Sequence, residues 1–283
     1  MNKPFYKLLD WIDIDNLEWF YLSKNPRAID LLEANPDKIN WDSLSLNPNA
    51  IELLKANKDK INWSYLSLNT NPEVIKLLQK HKHKINWYYL SKNNNEKVID
   101  LLKKYPDKIN WKSLCLNTNN EALEFLKENP DKIDWYYLSE NENPIAIELL
   151  NNNYNHIDWF NLSKNNGAIN LLTKNQEKIN WNMIAFNTNA IKIITKNQEK
   201  LNWYYLSENI NAIKLLNENQ NKINWSYLSY NKNAIELLKS NRDKINWFNL
   251  SLNPNIFELD YKQIAINFEP LKKELIRKII IND

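Results

Sequence analysis

An all-α solenoid, one continuous array of repeats each made of two short helices, is the fold class this sequence predicts. Three observations carry it. Eleven tryptophans (Trp19, Trp41, Trp63, Trp87, Trp111, Trp135, Trp159, Trp181, Trp203, Trp225 and Trp247) recur at spacings of 22 or 24 residues, a period typical of solenoids and arrays. Each is followed three residues on by Leu or Ile, and six residues on by Asn. Between successive tryptophans stands an A/V-I-x-L-L phrase with its apolar residues at helical spacing.

In chain order, residues 3–19 (KPFYKLLDWIDIDNLEW) form an irregular half-repeat with an extra Trp11, so 1–18 is expected to cap the array. The repeats proper occupy 19–255. Each opens with a phrase such as INWSYLS, the source of helix B. The residue before Trp is Asn or Asp in ten copies and Glu18 in the first; Asn and Asp are N-cap types, able to bond the free N–H groups of a first turn. Trp, the Leu three on and the residue four on share one face. That last residue is small throughout: Ser23, Ser45, Ser67, Ser91, Cys115, Ser139, Ser163, Ala185, Ser207, Ser229 and Ser251. Close approach of consecutive B helices is expected there.

Asn six after Trp (Asn25, Asn47, Asn69, Asn93, Asn117, Asn141, Asn165, Asn187, Asn209, Asn231, Asn253) is expected to end helix B and to bond nearby backbone as a ladder between repeats. Helix A follows, as in NPNAIELLKAN (47–57), where Asn before Pro suits an N-cap and first-turn proline. Its expected length is about nine residues. The 24-residue copies carry two extra residues between B and A, in NTNPEV, NNNEKV, NTNNEA and NENPIA. Beyond Trp247 the pattern degrades. IFELD (256–260) is a shortened helix A, YKQIAIN (261–267) imitates helix B, and EPLKKELIRKIIIND offers a capping helix, so 256–283 closes the stack. With no linker or composition break, 1–283 reads as a single domain. The runner-up is a leucine-rich-repeat solenoid, since WDSLSLNPN matches that motif. It fails where Lys24, Lys92, Glu140, Lys164 and Glu208 occupy a position that a strand would bury.

Composition limits function. One glycine leaves no phosphate-cradling loop. A single cysteine fits a reducing, cytoplasmic setting, and no apolar run has the length of a membrane span. A net charge of +3 points to neither nucleic acid nor membrane. The abundance of Asn, Lys and Ile reads partly as the output of an A/T-rich genome.

Cys115 sits in the small-residue slot and reads as a packed stand-in for Ser. His81 and His83 form a His-x-His, but His156 lies three repeats away, roughly 25–30 Å at helix-packing spacing, so no metal site and no cofactor is expected. The serines lack a companion His, and the chain is expected not to be an enzyme. Two surfaces remain. An aromatic face one and two residues after Trp, comprising Tyr65, Tyr88, Tyr89, Tyr136, Tyr137, Phe160, Tyr204, Tyr205 and Tyr227, suits a protein partner. A basic edge three residues before Trp, comprising Lys38, Lys60, Lys84, Lys108, Lys132, Lys178, Lys200, Lys222 and Lys244, suits nucleic acid. Acidic neighbours such as Asp37, Asp59 and Asp107 offset much of its field.

The phrase N-P-x-A-I-x-L-L-x-x-N-x-x-K-I-N-W-x-x-L-S, over roughly 19–255, resembles short tandem-repeat proteins of large DNA viruses of protists. The resemblance implies a viral interaction protein of the host cytoplasm and brings no site residues. The function expected is a non-enzymatic scaffold for protein–protein interaction, with RNA binding along the lysine edge and a structural role in a virion as alternatives.

Overall fold

The computed structural model describes residues 5–270 and shows an all-α repeat architecture. The repeat of Trp41 is representative: helix B at Trp41–Leu46, helix A at Ile51–Ala56, then a 3-10 turn at Lys58–Lys60 leading into the next Trp. The leucine-rich-repeat alternative falls here. The only strands among the described residues are β1 (Tyr6–Leu8) and β2 (Phe257–Leu259), both outside the region where that motif would place them. The expected N-caps form: Asn40, Asn62, Asn86, Asn110, Asp158, Asn224 and Asn246 each accept from the backbone N–H three residues on. Glu18 makes no such bond.

Two local readings need correction. Helix A spans six residues in most 22-residue copies, because the chain first spends a turn on the three residues after the ladder Asn and last a 3-10 turn that was not foreseen. In those short copies Asn47-Pro48 does not start helix A. Asn47 is the C-cap of B, and helix A begins at Ile51 behind Ala50. Only with the two extra residues do Asn71-Pro72 and Asn143-Pro144 become N-cap and first turn, lengthening helix A to nine residues. In the other two 24-residue copies helix A spans seven (Val98–Lys104) and eight (Asn120–Lys127) residues, so the insertions lengthen the helix to differing degrees.

The asparagine six after Trp holds the repeats together. All eleven are buried. Each side-chain amide donates to two carbonyls of the preceding repeat: Asn117 Nδ2 reaches Ser91 O at 3.1 Å and Asn93 O at 2.8 Å, and its Oδ1 accepts from Asn119 N at 2.9 Å. The small residue two positions earlier is more than a spacer. Ser91 Oγ donates to Trp87 O at 2.8 Å and accepts from Asn110 N of the next repeat at 3.0 Å. Cys115 substitutes with a 3.4 Å contact from Asp134 N, whereas Ala185 has no hydroxyl to offer. A second ladder runs two positions beyond the first. Asn49, Asn71, Asn95, Asn143, Asn189, Asn211, Asn233 and Asn255 each donate to a carbonyl of the previous repeat. At this slot the seventh repeat has Gly167, where an added Cβ would collide with Glu142 O; the backbones approach too closely there for any side chain.

The ladders do not stop at the last repeat. Asn25 in the first repeat donates to Ser251 O at 3.3 Å and Asn253 O at 3.2 Å in the eleventh, and Glu18 N donates to Ser251 Oγ at 2.9 Å. The two amide bonds are those that join every internal pair of repeats, and the bond to Ser251 Oγ is the one made wherever that slot holds serine. The array is therefore a closed ring. At the seam β1 pairs antiparallel with β2, Tyr6 opposite Leu259 and Leu8 opposite Phe257. Arg27 replaces Asn in the second ladder. Its Nη1 reaches Asn255 Oδ1 at 2.9 Å, Pro254 O at 3.2 Å and Phe257 O at 3.4 Å, while its guanidinium lies over the Tyr6 ring. IFELD (256–260), expected as a shortened helix A, is instead the strand β2 behind a 3-10 turn, and the segments expected as end caps face each other across the seam. The proposed capping helix lies mostly outside the described residues; 261–270 is helical.

Closure gives the two helical layers different circumferences. B helices touch through backbone and the ladders. Neighbouring A helices reach one another through long side chains such as Lys55–Glu73 at 3.8 Å and Lys127–Glu148 at 4.0 Å. The B layer forms the inner circle and the A layer the outer one. Between them lies the core, built from the Leu of helix B and the Ala, Ile and Leu of helix A.

Candidate functional site: the inner aromatic face

Helix geometry decides what faces the central opening. Residues three and four after Trp point into the core and are buried, so those one, two and five after Trp project from the opposite face. The structure divides the nine predicted aromatics accordingly. Tyr88, Tyr136, Phe160 and Tyr204, one after Trp, are 53%, 50%, 45% and 45% exposed. Tyr65, Tyr89, Tyr137, Tyr205 and Tyr227, two after Trp, are half-buried beneath them. They form separate patches. Tyr88 sits edge-on to Tyr89 at 5.4 Å, and Tyr89 lies 6.1 Å from Tyr65. Tyr136 meets Tyr137 at 5.2 Å. Tyr204 lies 5.5 Å from Tyr205 and 4.3 Å from Tyr227. A hydrogen bond with Tyr204, aided by desolvation, pushes the Tyr227 phenol up to about 12.

A further patch lies at the seam, where Tyr21 and Phe248, occupants of the same two aromatic slots, meet beside Phe20. Phe20 and Tyr21 stand 5.0 Å apart, and Tyr21 packs on Phe248 at 4.2 Å. Tyr21 and Phe248 are 227 residues apart in sequence and meet only because the ring closes. Their repetition of the same two slots was visible; their adjacency was not. Between patches the exposed slot holds polar residues, Asp42, Lys112 and Asn182.

The basic edge has another occupation. Lys38, Lys60, Lys84, Lys200, Lys222 and Lys244 each place Nζ 4.5–4.9 Å from the ring of the Trp that opens their own repeat. Such cation–π contacts explain the shared period of Lys and Trp. His156, in the same slot, stacks on Trp135 at 5.1 Å. Two further lysines pair with the acid beside them, Lys108 with Asp107 at 3.3 Å and Lys132 with Asp131 at 2.8 Å. Lys178 lies in a 3-10 turn, exposed. The edge is a solvated belt of rings and ammonium groups whose field its own acids offset.

The remaining chemical candidates resolve into packing. His81 and His83 lie 6.4 Å apart, ring to ring, and His81 packs against Trp63. Among the described residues no cluster of three or more His, Cys, Asp or Glu could hold a metal ion, and no helix is long and apolar enough to cross a membrane. Burial pushes the Cys115 thiol up to about 11, so little thiolate forms at neutral pH. Native protein at pH 8 is expected to leave Cys115 unmodified by a thiol reagent that labels the urea-unfolded chain fully; rapid native labelling would contradict this burial.

The inner face is thus a ring of aromatic patches on short, rigid helices. Comparison with protein-family models, curated proteins and solved structures finds no match to this chain.

Proposed function

We propose that the protein is a non-enzymatic scaffold that binds a protein segment against the aromatic patches of its inner face. The carrying observation is the half-exposure of Tyr88, Tyr136, Phe160 and Tyr204 on one face of a ring fixed by buried hydrogen bonds. Tyrosine offers large amphipathic area with few rotors to freeze, which favours protein interfaces. Eleven B helices packed about 8–10 Å apart and each about 10 Å thick leave an opening of roughly 20 Å. That admits an extended chain or one helix. The serines, the cysteine and the histidines that could have served catalysis are engaged in backbone bonds and ring stacking, which supports a binding role over an enzymatic one. The same reasoning weakens nucleic-acid binding, because most of the required lysines rest on tryptophans or beside acids.

The test compares wild type with the quadruple variant Tyr88→Ser, Tyr89→Ser, Tyr136→Ser and Tyr137→Ser, both checked for native helicity. Partners captured by the wild-type ring are expected to bind the variant at least tenfold more weakly, as loss of aromatic anchors commonly does. Undiminished capture by a folded variant would overturn the aromatic face as the binding surface.

A further inference from the structure

A distinct pocket of about 390 Å³ crosses the last four repeats, beside the first asparagine ladder. Phe186, Glu208, Tyr230 and Leu252, each five residues after its Trp, line it together with Ile210 and Pro254. Its size suits a small organic ligand. Its walls are mainly apolar and aromatic, with Thr188, Asn231, Lys232 and one carboxylate, Glu208, set among them.

That carboxylate lacks the partner the fold supplies elsewhere. In the sixth and seventh repeats the same slot holds Glu140 and Lys164, which pair at 3.0 Å. In the ninth and tenth it holds Glu208 and Tyr230, so a phenol ring stands where the lysine should be. No cation among the described residues lies within ion-pair distance of Glu208, although Lys232 also lines the pocket. Desolvation raises the Glu208 carboxyl above the ordinary range, as expected of a group partly withdrawn from water with no compensating charge.

We propose that this pocket binds an organic monocation, an ammonium group carried on an apolar body, with Glu208 as counter-ion and the rings of Phe186 and Tyr230 as its walls. The ammonium takes the role towards Glu208 that Lys164 Nζ plays towards Glu140. Aromatic faces attract a cation that has shed part of its hydration, and the apolar body covers Ile210, Leu252 and Pro254. A neutral ligand of the same shape would leave the carboxylate uncompensated, and an anionic one would be repelled. The pocket adjoins the Tyr204–Tyr205–Tyr227 patch, since Phe186 lies 4.8 Å from Tyr205, but its test touches neither Tyr88, Tyr89, Tyr136 nor Tyr137, so its failure leaves that reading intact.

The probe is 2-phenylethylammonium, titrated into the full chain by calorimetry at neutral pH, against 2-phenylethanol and phenylacetate. The expected result is saturable binding of the ammonium at one site, at least tenfold tighter than either analogue. Glu208→Gln, which keeps size and polarity, should lower the affinity at least tenfold without shifting the melting temperature. Lys232→Gln should leave it unchanged or tighten it. Equal binding of the three probes, no binding at all, full affinity in Glu208→Gln, or loss of binding in Lys232→Gln would each overturn the assignment.

Discussion

Asn117→Leu is expected to destabilise the ring by about 3–9 kcal/mol, as three buried polar groups lose partners at about 1–3 kcal/mol each. The side chains are of similar size, so the effect isolates hydrogen bonding from packing. Asn117 is fully buried, and its amide serves Ser91 O and Asn93 O while its carbonyl serves Asn119 N–H. Leucine leaves those three groups without this partner in a region sealed from water. Asn117→Asp keeps the acceptor but turns a carboxylate towards two carbonyls, and should cost at least as much. Asn155→Leu, on the exposed 3-10 turn Tyr154–His156, serves as the control and should stay within about 0.5 kcal/mol of wild type. Urea unfolding reads all three. A ladder variant as stable as the control would show that the amides do not hold the repeats together.

The second large effect lies at the seam. Every internal pair of repeats is joined by the chain as well as by the ladders, but the first and eleventh are joined by contacts alone. Arg27 concentrates those contacts on one side chain, which reaches Asn255, Pro254 and Phe257 and covers Tyr6. Hydrogen bonds from a charged donor contribute about 1.5–3 kcal/mol, so Arg27→Ala should weaken the seam by roughly 2–4 kcal/mol. The loss should be local. Repeat arrays open in units of a few neighbouring repeats, and the seam becomes the cheapest place to open. Hydrogen exchange is expected to accelerate around 6–30 and 250–260, with little change near 111–141. Uniform acceleration across the ring would mean that the seam is no separate unit.

The repeat and its bonds were largely legible in the sequence. A side chain fixed at one position in eleven copies must answer a local requirement, and the asparagine ladder, the N-caps and the core leucines follow from that. Closure was not legible. It requires each repeat to rotate by about 33°, a full turn shared among eleven repeats, and that angle arises from packing rather than from any one residue. The clue lay in what the first repeat changed. Glu18 stands in an N-cap slot and Arg27 in a slot that is otherwise asparagine in all copies but that of Gly167; the Glu18 backbone N–H and the Arg27 side chain both make contacts across the seam. Asparagine abundance was undervalued for a related reason. The second ladder and the amides that close helix A, such as Asn57 to Leu53 O at 2.9 Å, give many of those residues a bond that no periodicity of apolar groups announces. For the candidate site, the aromatic slots were visible as a pattern. Which rings face the opening depended on knowing that the B layer lies inside.

Small-angle scattering of the monomeric protein tests the closed ring most directly. An open array of eleven repeats at about 8–10 Å each would be roughly 90–110 Å long. The closed ring predicts a maximum dimension of roughly 60 Å, an inner circle flanked on both sides by an outer helical layer. A compact distance distribution ending near that value is the expected result, and an elongated one extending past roughly 90 Å would contradict closure.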